Sequence, residues 1–129
     1  MLDLIILLDG KSYYNRKELI SCLELQQSNN SEELYSNRDS KRSLIAHFTK
    51  DLGDYLEEEI TVPYNVCGVC HLTFLPFEII NELISAIISF NSELFVDDDH
   101  GNILNICDYK NLIAKKKVYP FTYCSKDYF

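Results

Sequence analysis

The sequence lacks an apolar run long enough to cross a bilayer. Its longest uncharged stretch, residues 60–77, contains His, Thr, Asn, Tyr, Pro and Gly and is too polar for a membrane-spanning helix. The N-terminus also lacks the basic region of a signal peptide, and the apolar run that follows it is only Leu4 to Leu8. These absences predict a cytoplasmic protein without a membrane partner.

The sequence also lacks a recognisable catalytic motif, and its cysteines are too few and odd in number to suggest a set of disulfides. The sequence contains no P-loop, no G-x-S-x-G and no G-x-G-x-x-G, and its three histidines have no triad spacing. Its five cysteines are an odd number without a secretory signal, so free thiols are expected. We therefore predict a protein that is not an enzyme and needs no cofactor.

Basic residues are scarce in the middle of the chain. Residues 43–109 contain twelve acidic residues and one basic residue, Lys50, whereas residues 110–129 contain five basic residues and one acidic residue. The net charge of the whole chain is −8. Such an acidic block repels nucleic acid and steers a basic partner inward, although solubility alone also explains it.

The 129 residues, 47% of them hydrophobic, are expected to form a single domain spanning 1–129 around one core. Residues 2–8 predict a strand buried on both faces. Asn15 and Glu18 have the spacing of a capping box before a helix over about 16–27. A polar surface loop is predicted over about 28–42, and an amphipathic helix over about 41–58.

The stretch 70–107 is expected to be the centre of the fold. A strand after Cys70 leads to Pro76, which suits the first position of a helix that continues to Phe90. The polar residues of that helix fall on or near one stripe, so its other sides are expected to be buried; they are Glu78, Asn81, Glu82, Ser85 and Ser89. A hairpin with its turn at 97–102 follows, then a helix near 109–115 and a strand at 118–124. This order predicts an α/β or α+β sandwich with a mixed sheet and three to four helices.

Cys67, Cys70 and His71 match the C-x-x-C-H haem-attachment pattern. Haem attachment normally requires export, which nothing in the sequence indicates. The two cysteines also form half of a zinc motif, and they resemble a redox pair, but no second cysteine or histidine pair completes a zinc site. A small metal-binding or redox protein using Cys67 and Cys70 therefore stays an alternative.

Three consecutive carboxylates, Asp97, Asp98 and Asp99, precede His100-Gly101-Asn102. Alignment on Gly101 as the turn glycine of an EF-hand places Val96 and Cys107 at ligand positions, so a calcium loop is not expected. A hairpin turn that presents a negative tip to a partner explains the residues better. Asp9, at the end of the first strand, could join these carboxylates in a metal-dependent nuclease site.

The opening Leu4 to Lys11, with the helix that runs from Asn15 to Leu25, resembles the entry to barstar-type inhibitors. The resemblance covers about the first 25 residues and includes none of the inhibitory motif, so it assigns no contact residue. More broadly, the chain resembles small, acidic bacterial immunity proteins of toxin–antitoxin and contact-dependent inhibition systems. The resemblance implies a protein that binds a cognate toxin and covers its active site.

The expected function is therefore inhibition of a basic toxin domain, a nuclease, by protein–protein interaction. The carboxylates would mimic phosphates and accelerate association. The expected contact residues are Asp51, Asp54, Glu57, Glu58 and Glu59, with Asp97, Asp98 and Asp99 as a second set. A non-catalytic interaction module, in which the acidic block only confers solubility, is the remaining alternative.

Overall fold

A seven-stranded sheet and four α-helices make up the described part of the chain, which is residues 2–27, 34–38, 42–50, 62–98 and 103–115 of a computed structural model. The strands are β1 (Leu2–Leu8), β2 (Gln26–Gln27), β3 (Leu34–Arg38), β4 (Ser43–Thr49), β5 (Gly68–Leu75), β6 (Phe95–Asp97) and β7 (Ile103–Asn105). The helices are α1 (Gly10–Tyr14), α2 (Arg16–Cys22), α3 (Ile80–Phe90) and α4 (Ile106–Ala114). A 3-10 turn, Phe77–Ile79, precedes α3.

The strands follow the order β2-β3-β4-β5-β1-β6-β7, so β1 lies inside the sheet between β5 and β6. Every neighbouring pair is antiparallel. The fold is therefore α+β with four helices, and this confirms one of the two predicted fold classes. The sheet of the described residues is antiparallel rather than mixed, because none of its strands is joined to a parallel neighbour.

Strand β1 is buried because its apolar residues alternate into the core. Leu4, Ile6 and Leu8 are fully buried in the same hydrophobic cluster as residues of the helices. On the opposite face of the sheet, which we call its second face, the Leu7 side chain is buried and the Asp3 side chain is only partly buried. The predicted strand is confirmed, and its burial on both faces holds at its C-terminal end.

Helix α3 packs between α2 and α4 over the core face of the sheet. Its inward side carries Ile80, Leu83, Ile84 and Ile87, all buried. The polar stripe expected from the sequence is exposed at every position, from Glu78 through Ser89. Pro76 lies one position earlier than predicted, because it caps the 3-10 turn that leads into the helix.

The predicted helix over 41–58 is wrong where the structure describes it, since residues 43–49 form strand β4. Leu44, Ala46 and Phe48 are buried and the residues between them are not, which is the two-residue period of a strand. Leu44 and Phe48 also fit a helical period, and the register with β5 decides between the two. The remainder of the predicted helix, 51–58, lies outside the described residues.

Two further expectations about the first half of the chain are corrected. The predicted loop over 28–42 contains strand β3, which pairs with β4. The predicted helix over 16–27 ends at Cys22 and is followed by Glu24 with a positive φ of 55°. Asn15 stands at the N-cap of α2, but its side chain donates to the Lys11 carbonyl at 2.9 Å, so the capping box does not form.

From residue 68 to residue 115, the described helices and strands are of the types that the sequence predicts. The strand pairing of the predicted hairpin is confirmed, with Phe95 opposite Asn105 and Asp97 opposite Ile103, so Asp97 belongs to the strand rather than to the turn. Residues 99–102 of the predicted turn lie outside the described residues. Helix α4 begins at Ile106, earlier than predicted, because the Asn105 side chain accepts the Cys107 N–H at 2.8 Å and caps it. The predicted strand at 118–124 lies outside the described residues. No described helix has the length and apolar character needed to span a bilayer.

Candidate functional site

A polar cleft of about 500 Å³ lies where β1 ends, between the first two helices and the C-terminal end of α3. Three of its side chains are carboxylates and one is a lysine, and we call it the acidic cleft. Its lining residues are Asp9, Lys11, Ser12, Asn15, Glu18, Phe90, Asn91 and Glu93. Glu18 and Glu93 are exposed, so both are accessible to a partner.

The walls of the acidic cleft are held together by hydrogen bonds. Asp9 caps α1 by accepting the Ser12 N–H at 2.7 Å. Asn91, just after α3, donates from its side chain to the Ser12 hydroxyl at 3.0 Å and accepts the Glu93 N–H at 2.9 Å. The segment after α3 is thereby tied to α1.

The ends of three helices border the acidic cleft. Phe90, the last residue of α3, lines the acidic cleft, as do Asp9 and Asn15, the N-cap residues of α1 and α2. The end of an α-helix carries a partial negative charge, and the last turn of α3 contains no basic residue to offset it. The N-terminal ends of α1 and α2 carry the opposite partial charge, so the negative character of the acidic cleft comes from its carboxylates.

The carboxylates expected to contact a partner are only partly described. Asp51, Asp54, Glu57, Glu58, Glu59 and Asp99 lie outside the described residues. Asp97 is partly exposed, and it lies on the second face of the sheet. Its cross-strand partners are Ile5 of β1 and Ile103 of β7. Asp98 is fully buried, which corrects its expected position at an exposed tip.

The structure does not bring Asp9 and Asp97 together as a nuclease site requires. Asp97 pairs with Ile5, four residues before Asp9 along β1, which at strand spacing corresponds to about 13 Å. Asp9 is instead occupied with capping α1. Within the described ranges no group of three or more His, Cys, Asp or Glu side chains is arranged to hold a metal ion.

Cys67, Cys70 and His71 do not converge on a common site. Cys70 is completely buried in the hydrophobic core, and this burial raises the pKa of its thiol, which disfavours the thiolate that metal binding and redox chemistry need. Cys67 is exposed, with its thiol 3.7 Å from the Asn65 carbonyl. His71 follows Cys70 in a strand, so it projects from the opposite face.

His71 belongs instead to a polar cluster on the second face of the sheet. Its Nε2 lies 3.2 Å from an Asp3 carboxylate oxygen, and the same oxygen accepts the Thr73 hydroxyl at 2.8 Å. His47 is the cross-strand neighbour of His71. The three strands β1, β5 and β4 thus bring together a carboxylate, a hydroxyl and two imidazoles that are far apart in the sequence.

A third surface is formed by Tyr14, Lys50 and Arg16, and we call it the Tyr14 surface. The Lys50 ammonium lies 5.5 Å from the Tyr14 ring and 5.6 Å from the Tyr13 ring. The Arg16 guanidinium lies 4.7 Å over the Tyr13 ring and donates to the Tyr13 carbonyl at 3.0 Å. Both cations are therefore held against aromatic rings in cation–π geometry.

Sequence reasoning missed the acidic cleft. The sequence suggests Asp9 only as a metal ligand and Glu18 only as a helix cap, and it gives no signal for Glu93. These three carboxylates come from three separate segments, so no spacing in the sequence reveals them.

No protein-family model, curated protein sequence or solved structure matches the chain. The resemblance to barstar-type and other immunity proteins therefore stays a prediction from the sequence.

Proposed function

We propose that the chain is an immunity-type binding protein, which neutralises a cognate basic toxin domain by covering its active site. The acidic cleft is the observation that carries the proposal. It combines the exposed Glu18 and Glu93 with the half-buried Asp9, whose carboxylate also caps α1, and sets a single lysine against them. Its carboxylates project from a scaffold that hydrogen bonds already hold in place, so little ordering is needed on binding.

A nuclease is the toxin that suits this charge distribution. Nucleases bind a polyanionic substrate, and their active sites are accordingly basic. The carboxylates of the acidic cleft would occupy the positions that phosphates take on such a surface. The net charge of −8 and the twelve acidic residues of 43–109 would add long-range attraction and raise the association rate.

The first experiment identifies the partner and its sensitivity to salt. Tagged chain is incubated with a lysate of the native host and eluted with a salt gradient. The expected result is a basic protein released at moderate salt, whose nuclease activity falls when the purified chain is added back. Failure to recover a basic partner, or recovery of a nuclease that remains fully active, would contradict the proposal.

Charge reversal then tests the acidic cleft itself. The variant Glu18→Lys/Glu93→Lys is expected to slow association with the recovered partner by at least about tenfold at low salt, because electrostatic steering depends on these charges. The control is Glu78→Lys/Asp108→Lys, which changes two exposed carboxylates outside the acidic cleft. Both variants change the net charge equally.

The control variant carries a helix-dipole cost at two positions, whereas the test variant carries it only at Glu18, so the control is the more demanding of the two for stability. Glu18, Glu78 and Asp108 all lie in the first turn of their helices, so reversal removes a favourable dipole interaction in both cases. Equal association rates for the two variants would assign binding to another surface. A third variant, with Glu57, Glu58 and Glu59 changed to lysine, tests the contact residues expected from the sequence.

A further inference from the structure

We propose that His47 and His71, on the second face of the sheet, form a two-histidine binding site for a divalent transition-metal ion that prefers imidazole, such as Zn²⁺. The inference does not rest on the proposed function, because it uses neither the acidic cleft nor a toxin. It rests on the register of β4 with β5 and on the hydrogen bonds around Asp3.

The register of the sheet places the two imidazoles side by side. His47 of β4 is directly opposite His71 of β5 in an antiparallel pair. Side chains at such positions project from the same face, with their Cβ atoms about 4.5–5.5 Å apart. Because an imidazole nitrogen binds zinc at about 2.0–2.1 Å, two rings at this separation can converge on one ion.

Asp3 prepares His71 to act as a metal ligand. Its carboxylate lies 3.2 Å from Nε2 of His71, and an ionised carboxylate can only accept a hydrogen bond. This contact therefore places the proton of the neutral ring on Nε2 and leaves the lone pair on Nδ1. The Thr73 hydroxyl donates to the same carboxylate oxygen at 2.8 Å and orients it. Metal-binding histidines characteristically donate their second ring N–H to such a group.

Both imidazoles are accessible to an ion from solution. His47 is exposed, and the side chain of His71 is 43% exposed. In the described part of the chain, the only hydrogen bond of either ring is the one between Nε2 of His71 and Asp3. Both nitrogens of His47 and the Nδ1 of His71 are therefore available as ligands, and no backbone rearrangement is needed to reach them.

The chemistry of the two ligands selects the ion. Imidazole suits Zn²⁺, Cu²⁺ and Ni²⁺, whereas Mg²⁺ and Ca²⁺ prefer oxygen ligands. Asp3 is engaged with His71, so the protein supplies two ligands and water completes the coordination. The site thus differs from a cluster of three or more ligands, which the described residues do not form. An ion shared by β4 and β5 would also stabilise the folded chain, since the unfolded chain does not hold the two rings together.

The test is calorimetric titration of the full-length chain with ZnCl₂ at about pH 7.5, where a free imidazole is mostly neutral. Cys22→Ser/Cys67→Ser is the parent protein, because both thiols are exposed and thiolates also bind zinc. In this parent, His47→Asn and His71→Asn are each expected to weaken zinc binding by at least about tenfold, and Asp3→Asn by about ten- to a hundredfold. Mg²⁺ should not bind at the pair.

Nitrogen-15 spectra of the imidazole rings locate the ion and test the role of Asp3. Zinc should shift the Nδ1 resonance of His71 and one nitrogen resonance of His47. Asp3→Asn should change the tautomer of His71 before any zinc is added, which a purely structural role of Asp3 would not do. The matched control is His100→Asn, which changes the third histidine of the chain and should bind zinc like the parent.

Thermal denaturation gives an independent measurement. Zinc should raise the melting temperature of the parent and leave that of His47→Asn unchanged. Since His47 is exposed, this variant should fold as the parent does without zinc, and circular dichroism checks that it does.

Three outcomes would overturn the proposal. Absence of zinc binding to the parent up to about 100 µM metal shows that the pair is not a site. Binding that both His47→Asn and His71→Asn leave unchanged belongs to other groups. Binding that shifts His71 but leaves the His47 resonances in place shows that the two rings do not converge on one ion.

Discussion

Tyr64 is hydrogen-bonded to the backbone of Leu7, since its hydroxyl donates to the Leu7 carbonyl at 2.6 Å. The same hydroxyl accepts the Phe95 N–H at 2.8 Å. Leu7 and Phe95 are opposite each other in the β1–β6 pair, so one phenol joins two neighbouring strands. The segment before β5 is thereby fastened to the centre of the sheet, close to where the acidic cleft begins.

Tyr64→Phe is expected to lower the free energy of unfolding by about 1–3 kcal/mol, because it leaves a part-buried carbonyl and N–H without their shared partner. Urea denaturation followed by circular dichroism measures the change. Tyr14→Phe is the matched control, since Tyr14 is 73% exposed and should lose almost nothing. Equal stability of both variants would show that the bridge does not stabilise the fold.

Alkaline pH should remove the contribution of Tyr64. Burial of the phenol raises its pKa from 10.0 to about 12; Asp9 adds to this, while the Phe95 hydrogen bond opposes it. The folded state thus holds the proton to higher pH than the unfolded chain does. The stabilisation is complete below pH 10 and is lost as the pH rises towards 12. The stability difference between wild type and Tyr64→Phe, measured by denaturation at each pH, should shrink over this range.

Gly68→Ala should destabilise the fold by about 1–3 kcal/mol through overpacking. A Cβ at Gly68 would lie 2.2 Å from a carbon of the Tyr13 ring and 3.0 Å from the Thr49 carbonyl oxygen. Gly10→Ala is the control, because its Cβ would meet only the Cys67 sulfur at 3.4 Å. In a Tyr13→Ala background the cost of Gly68→Ala should fall, and a thermal-denaturation double-mutant cycle that shows no coupling would contradict the clash.

Glu24→Gly is expected to stabilise the chain by up to about 1 kcal/mol, because glycine adopts positive φ without the steric cost that other residues carry. Glu24 has a φ of 55° in the turn after α2. Its contact with Arg42 is long, at 3.8 Å, and its side chain is 77% exposed, so little is lost with it. Ser21→Gly, inside α2, should have the opposite sign, and equal signs in urea denaturation would refute the explanation.

Thiol labelling distinguishes buried from accessible cysteines. Iodoacetamide should modify the exposed Cys22 and Cys67 in the native protein and leave Cys70 unmodified until the chain is unfolded. The reason is that Cys70 is fully buried and its burial raises the thiol pKa. Peptide mass spectrometry at several times measures the rates. Labelling of Cys70 as fast as Cys67 would reopen the metal or redox alternative.

The sequence predicts most accurately those elements in which the spacing of polar and apolar residues fits only one type of secondary structure. Residues 80–90 carry a continuous polar stripe that only a helix explains, and strand β1 is a short apolar run next to a turn. The sequence predicts a helix where β4 forms, because Leu44 and Phe48 fit both the helical and the strand period. Pairing with β5, a strand that begins more than twenty residues later, decides between the two. Such long-range pairing has no local signal.

The candidate site was less accessible to prediction than the fold. Charge counting located the acidic block, but it gave no information on which carboxylates share a surface. The acidic cleft depends on the Asn91–Ser12 hydrogen bond between segments 79 residues apart. Asp98 is a second case in which the sequence does not show what is accessible. It belongs to a run of three carboxylates that is expected to be exposed, but it is buried.

The position of β1 inside the sheet has a consequence for the order in which the protein can fold during synthesis. Leu8 pairs with Gly68, sixty positions further along, and Leu7 pairs with Phe95 still later. The first strand therefore leaves the ribosome long before either of its neighbours exists. Contacts of such separation form slowly, and until then the apolar run is open to aggregation or to a chaperone.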